Sequence, residues 1–385
     1  MTDFSDYVVV GAGLAGAATA WQLAARGHQV TILERNVPAS HDASSHGSAR
    51  IFRYAYPDPF YTHAVQESKG LWDVLALNSG SELITPAGAA DFGSERNPRL
   101  LAGVLAGAGI GHELLSASEA TARWPQIAFD TEVLWHPDAG VIDAETAVKA
   151  MVEQAVRHGA RLVTGWPLQR VDKTSAGYRL RSAAGETVDA GNVVISAGGW
   201  LPGLLGELSL PSGFLAGLPE ITVRQEQAFH FRYKDPDGAA VPGGFWPTFI
   251  HKREDIQVYG LPGGRDAGFA GQKVAEYNGG RFLPSAAAQT GEVDPANRSR
   301  VVDYVRRFLP GLDPEPYAET TCLFTNTPNE DFIIDRVHNL TILSPCSGHG
   351  AKFAPLIGRW AADLATGAAN VPLRYRTATH AVSGR

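Results

Sequence analysis

A short β-branched run, Tyr7-Val8-Val9-Val10, opens directly into glycines at positions 11, 13 and 16, and nothing else in the chain restricts the fold as strongly. Four such residues with no polar alternation read as a strand buried on both faces. The GxGxxG spacing leads into an alanine-rich helix predicted to reach about Ala25, closed by Gly27. A second apolar run, Val30-Thr31-Ile32-Leu33, then ends at Glu34. This is a complete β-α-β unit. Gly11 permits the turn, Gly13 lets backbone approach a pyrophosphate, and Gly16 lets helix and strand pack closely, while the helix N-terminus turns amides and positive dipole toward the phosphates. Glu34 is placed to accept the hydroxyls of an adenosine ribose, which favours FAD or NAD over NADP.

The chain has 385 residues, room for roughly two or three domains at ~150 residues each. With 44% hydrophobic and 19% charged residues it reads as globular. A net charge of −7 without a basic run argues against nucleic acid as a partner. Two cysteines cannot form a disulfide framework, which fits a reducing compartment. The apolar stretch from Tyr7 to Ala25 could be mistaken for a targeting signal. Asp3 and Asp6 stand in front of it where a signal peptide carries Lys or Arg, and Gln22 interrupts it. The expectation is a soluble, cytoplasmic protein that meets no membrane.

After Glu34 the chain does not continue as regular βαβ units. A polar stretch, SHDASSHGSAR over 40–50, runs into IFRYAYPDPFY. Asp143 then reads as the N-cap of a helix carrying Val148, Met151, Val152, Ala155 and Val156 at helical spacing, with Gly159 closing it and a strand over 161–164. A further buried strand is predicted over 193–196, running into Ala197-Gly198-Gly199. The cluster Gly107 to Gly111 has no strand ahead of it and reads as the end of a helix around 100–106. Stretches 227–233 and 255–259 look antiparallel. Distant segments therefore complete one nucleotide-binding sheet: residues 1–80, 145–215 and 316–385 form a discontinuous dinucleotide-binding domain, and 81–144 with 216–315 form a second, α+β domain on an antiparallel sheet. No internal repeat or low-complexity linker is visible.

This order of motifs resembles the D-amino-acid-oxidase-like flavoproteins, and within them the monomeric sarcosine oxidase and N-methyltryptophan oxidase group, over nearly the whole chain. The resemblance rests on VVVGAGLAG with Glu34, SSHGSARIFRYAY, ETTCLFTNTPNEDFIID around Cys322, and CSGHGAKFAP around Lys352; the shorter QKVAEYNGG matches the segment holding the family's oxygen-activating lysine, here Lys273. It implies an α/β fold with a Rossmann-like FAD-binding domain of the GR2 type. It also implies FAD bound covalently as a thioether from Cys322 to the isoalloxazine 8α-carbon, with Cys346 left to packing. Gly11, Gly13, Leu14, Ala15, Gly16, Glu34, Arg35, Ser45, His46, Arg50, Val171, Ala197, Gly198, Trp200, Gly348, His349, Gly350 and Lys352 are the further cofactor contacts it implies. By the same resemblance Arg53 and Lys352 are expected to hold the substrate carboxylate, with Tyr259 and Phe324 beside the substrate. No metal is implied. The implied reaction is oxidation of a secondary, N-methyl-type α-amino acid: hydride goes to the flavin, the imine hydrolyses, and O2 becomes hydrogen peroxide. A monomer with no partner besides its amino-acid substrate and O2 is expected.

The residues agree chemically. Arg suits bidentate carboxylate contact, although on its own a basic loop such as His46, Arg50 and Arg53 also fits a solvated surface. Gly348-His349-Gly350 reads as the start of a helix with Phe353, Leu356, Ile357, Trp360 and Leu364 on its apolar face. Amides there would stabilise charge on a reduced flavin, and Lys352 in the first turn asks for an anion. Two positions depart from the group. Tyr277 stands where the sarcosine enzyme has a histidine four residues after the lysine, and Phe324 where it has a tyrosine two residues after the cysteine, so sarcosine itself is not assured. Oxidases of glycated (Amadori) amino acids and of cyclic imino acids such as pipecolate or proline remain open, as does, from another class, a non-catalytic dinucleotide-binding regulator. Against the last stand Lys273, Cys322 and Lys352, which a sensor does not need.

Overall fold

Phe4–Val10 lies parallel between Val30–Leu33 and Thr187–Ile195. Arg161–Val163 extends the sheet beyond Val30–Leu33, and Leu340–Ser344 pairs in parallel with the second half of Thr187–Ile195. These pairings come from a computed structural model that describes residues 4–235 and 246–380. The strand centres Val8, Val9, Ile32, Val193 and Val194 are fully buried, as the lack of polar alternation requires. The first half of Thr187–Ile195 continues into an antiparallel meander with Gly177–Ser182 and Leu168–Thr174.

Helix Leu14–Ala25 covers one face and packs against Ala144–Arg157 and Ala354–Thr366. Asp143 caps Ala144–Arg157, its carboxylate accepting from Thr146 N at 2.9 Å. The alanine richness of the first helix is a packing requirement: a Cβ on Gly358 would stand 2.5 Å from Ala18 Cβ, so the two helices meet almost backbone to backbone.

The second sheet runs, in spatial order, Arg281–Leu283, Thr222–Tyr233, Gly271–Glu276, Gln257–Pro262, Thr248–Lys252, Ala89–Phe92, Val133–His136 and Glu113–Leu115. Leu312–Asn326 pairs along Thr222–Tyr233. It is antiparallel throughout except between Thr248–Lys252 and Ala89–Phe92, and helix Pro295–Phe308 covers an aromatic core that includes Phe92, Phe229, Phe231 and Phe249. Residues 316–326, grouped above with the nucleotide-binding part, therefore pair in the second sheet; the chain returns to the first sheet with Ile333–Val337 and Leu340–Ser344. Arg50–Phe52 is a strand rather than loop, paired with Gly140–Ile142, which also takes Ile84–Pro86. Among the described residues no helix is long and apolar enough to cross a membrane.

At Gly11 and Gly16 the backbone leaves no room for a side chain. Gly11 has φ +95°, and a Cβ on Gly16 would lie 1.9 Å from Gly11 O and 2.4 Å from Ser196 Oγ. Gly11 O is backbone fixed just past the strand end, and Ser196 Oγ could turn away only by losing its 2.7 Å bond to Val10 O. Gly16→Ala should lower thermal stability by about 1–3 kcal/mol or more, the usual range for overpacking. Gly103→Ala, in helix Pro98–Gly107 with open space around it, should hold or raise it, since Gly costs a helix interior ~0.5–1 kcal/mol against Ala. Thermal melts of both variants check this; a Gly16→Ala protein as stable as wild type would mean that the turn is not built this way.

Candidate active site

A cavity of about 580 Å³ runs from the fingerprint glycines to the start of helix Ala354–Thr366, with walls from all three sheets. At its nucleotide end Gly13 is the N-cap of Leu14–Ala25. Ala12 N donates to Glu34 Oε2 at 2.6 Å and Leu14 N to Ser45 Oγ at 3.0 Å, which fixes the turn and the acid together. Gly11, Gly13, Leu14, Ala15, Gly16, Glu34, Arg35, Ser45, Ala197, Gly198 and Trp200 all line this end. The Arg35 guanidinium lies 5.1 Å over the Trp200 ring, whose Nε1 is buried without a partner. Val171 does not reach the wall. Its side chain points into the core beneath the meander and its carbonyl accepts from Ser209 Oγ at 2.9 Å, while Trp166 and Leu168 line the cavity instead. The strand turns alternate residues to opposite faces, and position 171 falls on the inner one.

In the middle stand Arg50, Tyr259, Lys273, Cys322 and Cys346. Lys273 is buried on Gly271–Glu276, with Nζ 3.4 Å from Ala49 O. Burial first, and Arg50 second, push its ammonium down to about 8. The Arg50 guanidinium is held by the carbonyls of Ser44, His46 and Ala49, each at 2.9 Å. Cys322 faces Glu226 across the strand pair. Burial pushes its thiol up, and the positive charges of Arg50 and Lys273 oppose that. Cys346 is engaged differently, its Sγ accepting from Thr325 N at 3.4 Å. His46 lies behind the wall, buried, with Nε2 unpartnered; burial and Arg50 push it down to about 3, so the imidazole is neutral. Burial also raises the Tyr259 phenol, which stays protonated.

At the far end the chain turns through a single 3₁₀ turn, Gly350–Phe353, before helix Ala354–Thr366, so Lys352 precedes the helix rather than lying in its first turn. Ser68 Oγ and Trp72 Nε1, from helix Pro59–Ser79, both donate to Lys352 O at 2.7 and 2.9 Å and fix its backbone. Lys352 Nζ donates to Tyr56 OH at 3.0 Å and to His349 O at 2.8 Å. The remaining contacts define one proton order. His349 Nε2 lies 3.0 Å from Glu330 O, which can only accept, so Nε2 carries the proton and Nδ1 accepts from Tyr56 OH at 3.1 Å. Burial, with Lys352 second, pushes His349 down to about 3 and keeps it neutral. Burial followed by Arg53 pulls Lys352 well below the ordinary ammonium range. The Arg53 guanidinium stacks 4.4 Å over the Tyr56 ring and bonds Ala55 O. Phe324 and Tyr277 close over Gly348 with ring centroids 6.1 Å apart, and Tyr277 OH donates to Glu330 Oε1 at 2.7 Å. Tyr56, Arg96 and Lys252 also line this end and were not singled out in the sequence; for Tyr56 the only cue was its place in IFRYAY.

A glycine turn at a helix N-terminus stands at one end of the cavity, and at the other stand the buried Lys352 and the half-buried Arg53 and Lys252, which have no carboxylate within ion-pair distance among the described residues. The chain belongs to the FAD dependent oxidoreductase (DAO) family, whose pattern matches residues 6–364. It is similar to the monomeric sarcosine oxidase of Streptomyces avermitilis, 32% identical over 377 residues covering 95% of this chain and 94% of the relative. It is also similar to the N-methyl-L-tryptophan oxidase of Yersinia pestis, 28% identical over 375 residues and 94% of each chain. Among solved structures NikD, described as an unusual amino acid oxidase essential for nikkomycin biosynthesis, superposes with a TM-score of 0.83 at 26% identity, covering 97% of this chain and 96% of that one. The protein is an FAD-dependent oxidoreductase.

Proposed function

We propose that the chain oxidises a secondary, N-methyl-type α-amino acid, with Arg53 and Lys352 holding the substrate carboxylate. The observation that carries this reading is the pair of cations flanking Tyr56, which have no carboxylate partner among the described residues. The names of the Streptomyces and Yersinia relatives supply the N-methyl class, and the first of them supports a monomer.

The walls suit FAD. The glycine turn leaves space for phosphates, Glu34 stands at the ribose position, and Trp200 Nε1 on the wall is a buried donor waiting for a partner. Gly11 to Gly16, Glu34, Arg35, Ser45, Ala197, Gly198 and Trp200 would hold the nucleotide part, and Arg50, Cys322 and Gly348 to Gly350 the ring, with His46 behind it. Bound FAD supplies the two-electron acceptor for the carbon next to nitrogen and the route from there to O2.

The chain's own residues do the rest. A carboxylate between Arg53 and Lys352 restores the Lys352 charge that burial suppresses, so affinity and protonation rise together. Tyr56, fixed by His349 and Glu330, accepts from Lys352 and aims its ammonium. Tyr259 and Phe324 wall the substrate with apolar surface and exclude water. The imine product hydrolyses after release.

A peroxide-coupled screen over N-methyl, cyclic and glycated amino acids tests the substrate class. An N-methyl acid should turn over best, and an amine of the same shape without a carboxylate should not compete. Removing one charge-assisted contact costs roughly 1.5–3 kcal/mol, so Arg53→Met and Lys352→Met should each raise the dissociation constant for a simple carboxylate inhibitor about ten- to 150-fold. Equal oxidation of the carboxylate-free amine would overturn the assignment.

A further inference from the structure

The substrate end holds more positive charge than one carboxylate can answer. Arg53, Arg96, Lys252 and Lys352 all line it. The charge of Arg96 is already met: its Nε lies 2.6 Å from Asp91 Oδ1, both side chains are buried, and its Nη2 bonds Ala55 O at 3.0 Å. Arg53 and Lys352 await the α-carboxylate in the reading above, on which this inference rests. Lys252 is left over. It ends strand Thr248–Lys252, half-buried, and its ammonium stands 5.5 Å over the ring of Tyr277. Among the described residues no carboxylate lies within ion-pair distance of it, and Glu330, the carboxylate that acts on it most, accepts from Tyr277 OH at 2.7 Å. A ring face offers quadrupole attraction but no counter-charge.

We propose that the substrate carries a second acidic group, on its side chain or its nitrogen substituent, and that Lys252 recognises it beside Tyr277. The substrate class becomes an N-substituted acidic amino acid, a dicarboxylate. Three cations with no carboxylate partner among the described residues repel one another in a confined cavity, and burial with Arg96 and Arg53 lowers the Lys252 pKa against the weaker pull of Glu330. A single carboxylate quiets two of them and leaves the third uncompensated, whereas a dicarboxylate pairs all three. The same arrangement discriminates against neutral side chains, because those would keep Lys252 partly desolvated and unpaired. Tyr277 has a part in this placement: its ring lies under the Lys252 ammonium, and its phenol holds Glu330, whose charge reaches Lys252 only from beyond ion-pair distance.

The test uses the holoenzyme and non-reactive probes, so that it does not depend on turnover. Calorimetry should give dissociation constants for succinate, glutarate and adipate against butyrate, pentanoate and hexanoate. At least one dicarboxylate should bind about 10- to 150-fold tighter than the monocarboxylate of equal length, the factor expected for a hydrogen bond to a charged group. In Lys252→Met and Lys252→Gln that ratio should fall to near one, and Lys252→Arg should restore most of it. A wild-type ratio of one, or a ratio that survives both neutral variants, overturns the proposal. A parallel arm compares oxidation of N-methylaspartate and N-methylglutamate with their side-chain amides. If the calorimetric ratios hold while no N-methyl acid is oxidised, the proposed reaction fails and the second anion site stands. If the amides are oxidised as well as the acids and the ratios are near one, the reaction stands and the second anion site fails.

Discussion

Lys273→Met should leave reduction of the enzyme by its substrate within a few-fold of wild type while slowing the reaction with oxygen by about a thousandfold. The first electron passed to O2 makes superoxide, a new negative charge in a water-poor site. A cation ~4 Å away at an effective dielectric near 20 is worth about 4 kcal/mol, which is roughly a thousandfold in rate. Lys273 is a buried lysine on the cavity wall, whereas an exposed lysine would be screened. Its charge also has a pH limit. Burial and Arg50 hold it down to about 8, and negative charge on the cofactor acts in the opposite direction. The oxygen step needs the protonated form, so its rate should fall as pH rises through about 8 or somewhat above, and the Met variant should lack that limb. Stopped-flow absorbance with substrate under anaerobiosis, then with oxygen, measures the two halves separately. Reoxidation within a few-fold of wild type in Lys273→Met would remove this lysine from the oxygen step.

Acid-denatured protein should keep its yellow colour in the pellet, and a flavin adduct should map to the peptide carrying Cys322. Both cysteines line the cavity, so the distinction lies in their surroundings. The Cys346 sulfur is already engaged by the backbone amides of Thr325 and Gly348, while the Cys322 thiol has Arg50 and Lys273 as the groups that favour its thiolate against burial. Cys322→Ala should release all of its FAD into the acid supernatant, an all-or-none change, whereas Cys346→Ala should retain the adduct. Free FAD from the wild type, or an adduct on Cys346, would show that the link is absent or placed elsewhere.

What can be read before folding is what lies close in sequence. The first β-α-β unit was legible because strand, turn, helix and acid fall within thirty residues, and each has a local cause: β-branched burial, a left-handed turn at Gly11, a Cβ-free contact at Gly16 and an acid at the strand end. The Asp143 cap was legible for the same reason, since its bond to Thr146 spans three residues. The motifs around Cys322 and Lys352 announced a flavoprotein only by resemblance; their residue types alone also fit a small buried thiol and a solvated lysine.

The tertiary structure decided the remainder, because charge state and partnership depend on burial and on neighbours far away in the chain. Val171 missed the wall because strand alternation placed it on the inner face. Residues 316–326 crossed to the second sheet because their ladder to Thr222–Tyr233 lies about a hundred residues away in sequence. Tyr56 meets His349 across 293 positions and Lys352 across 296. Lys252, in the polar string HKRED, reads as an ordinary surface lysine. Only the folded strand turns it over Tyr277, with no carboxylate of the described residues within ion-pair distance, and that long-range placement makes it a charge in need of a partner.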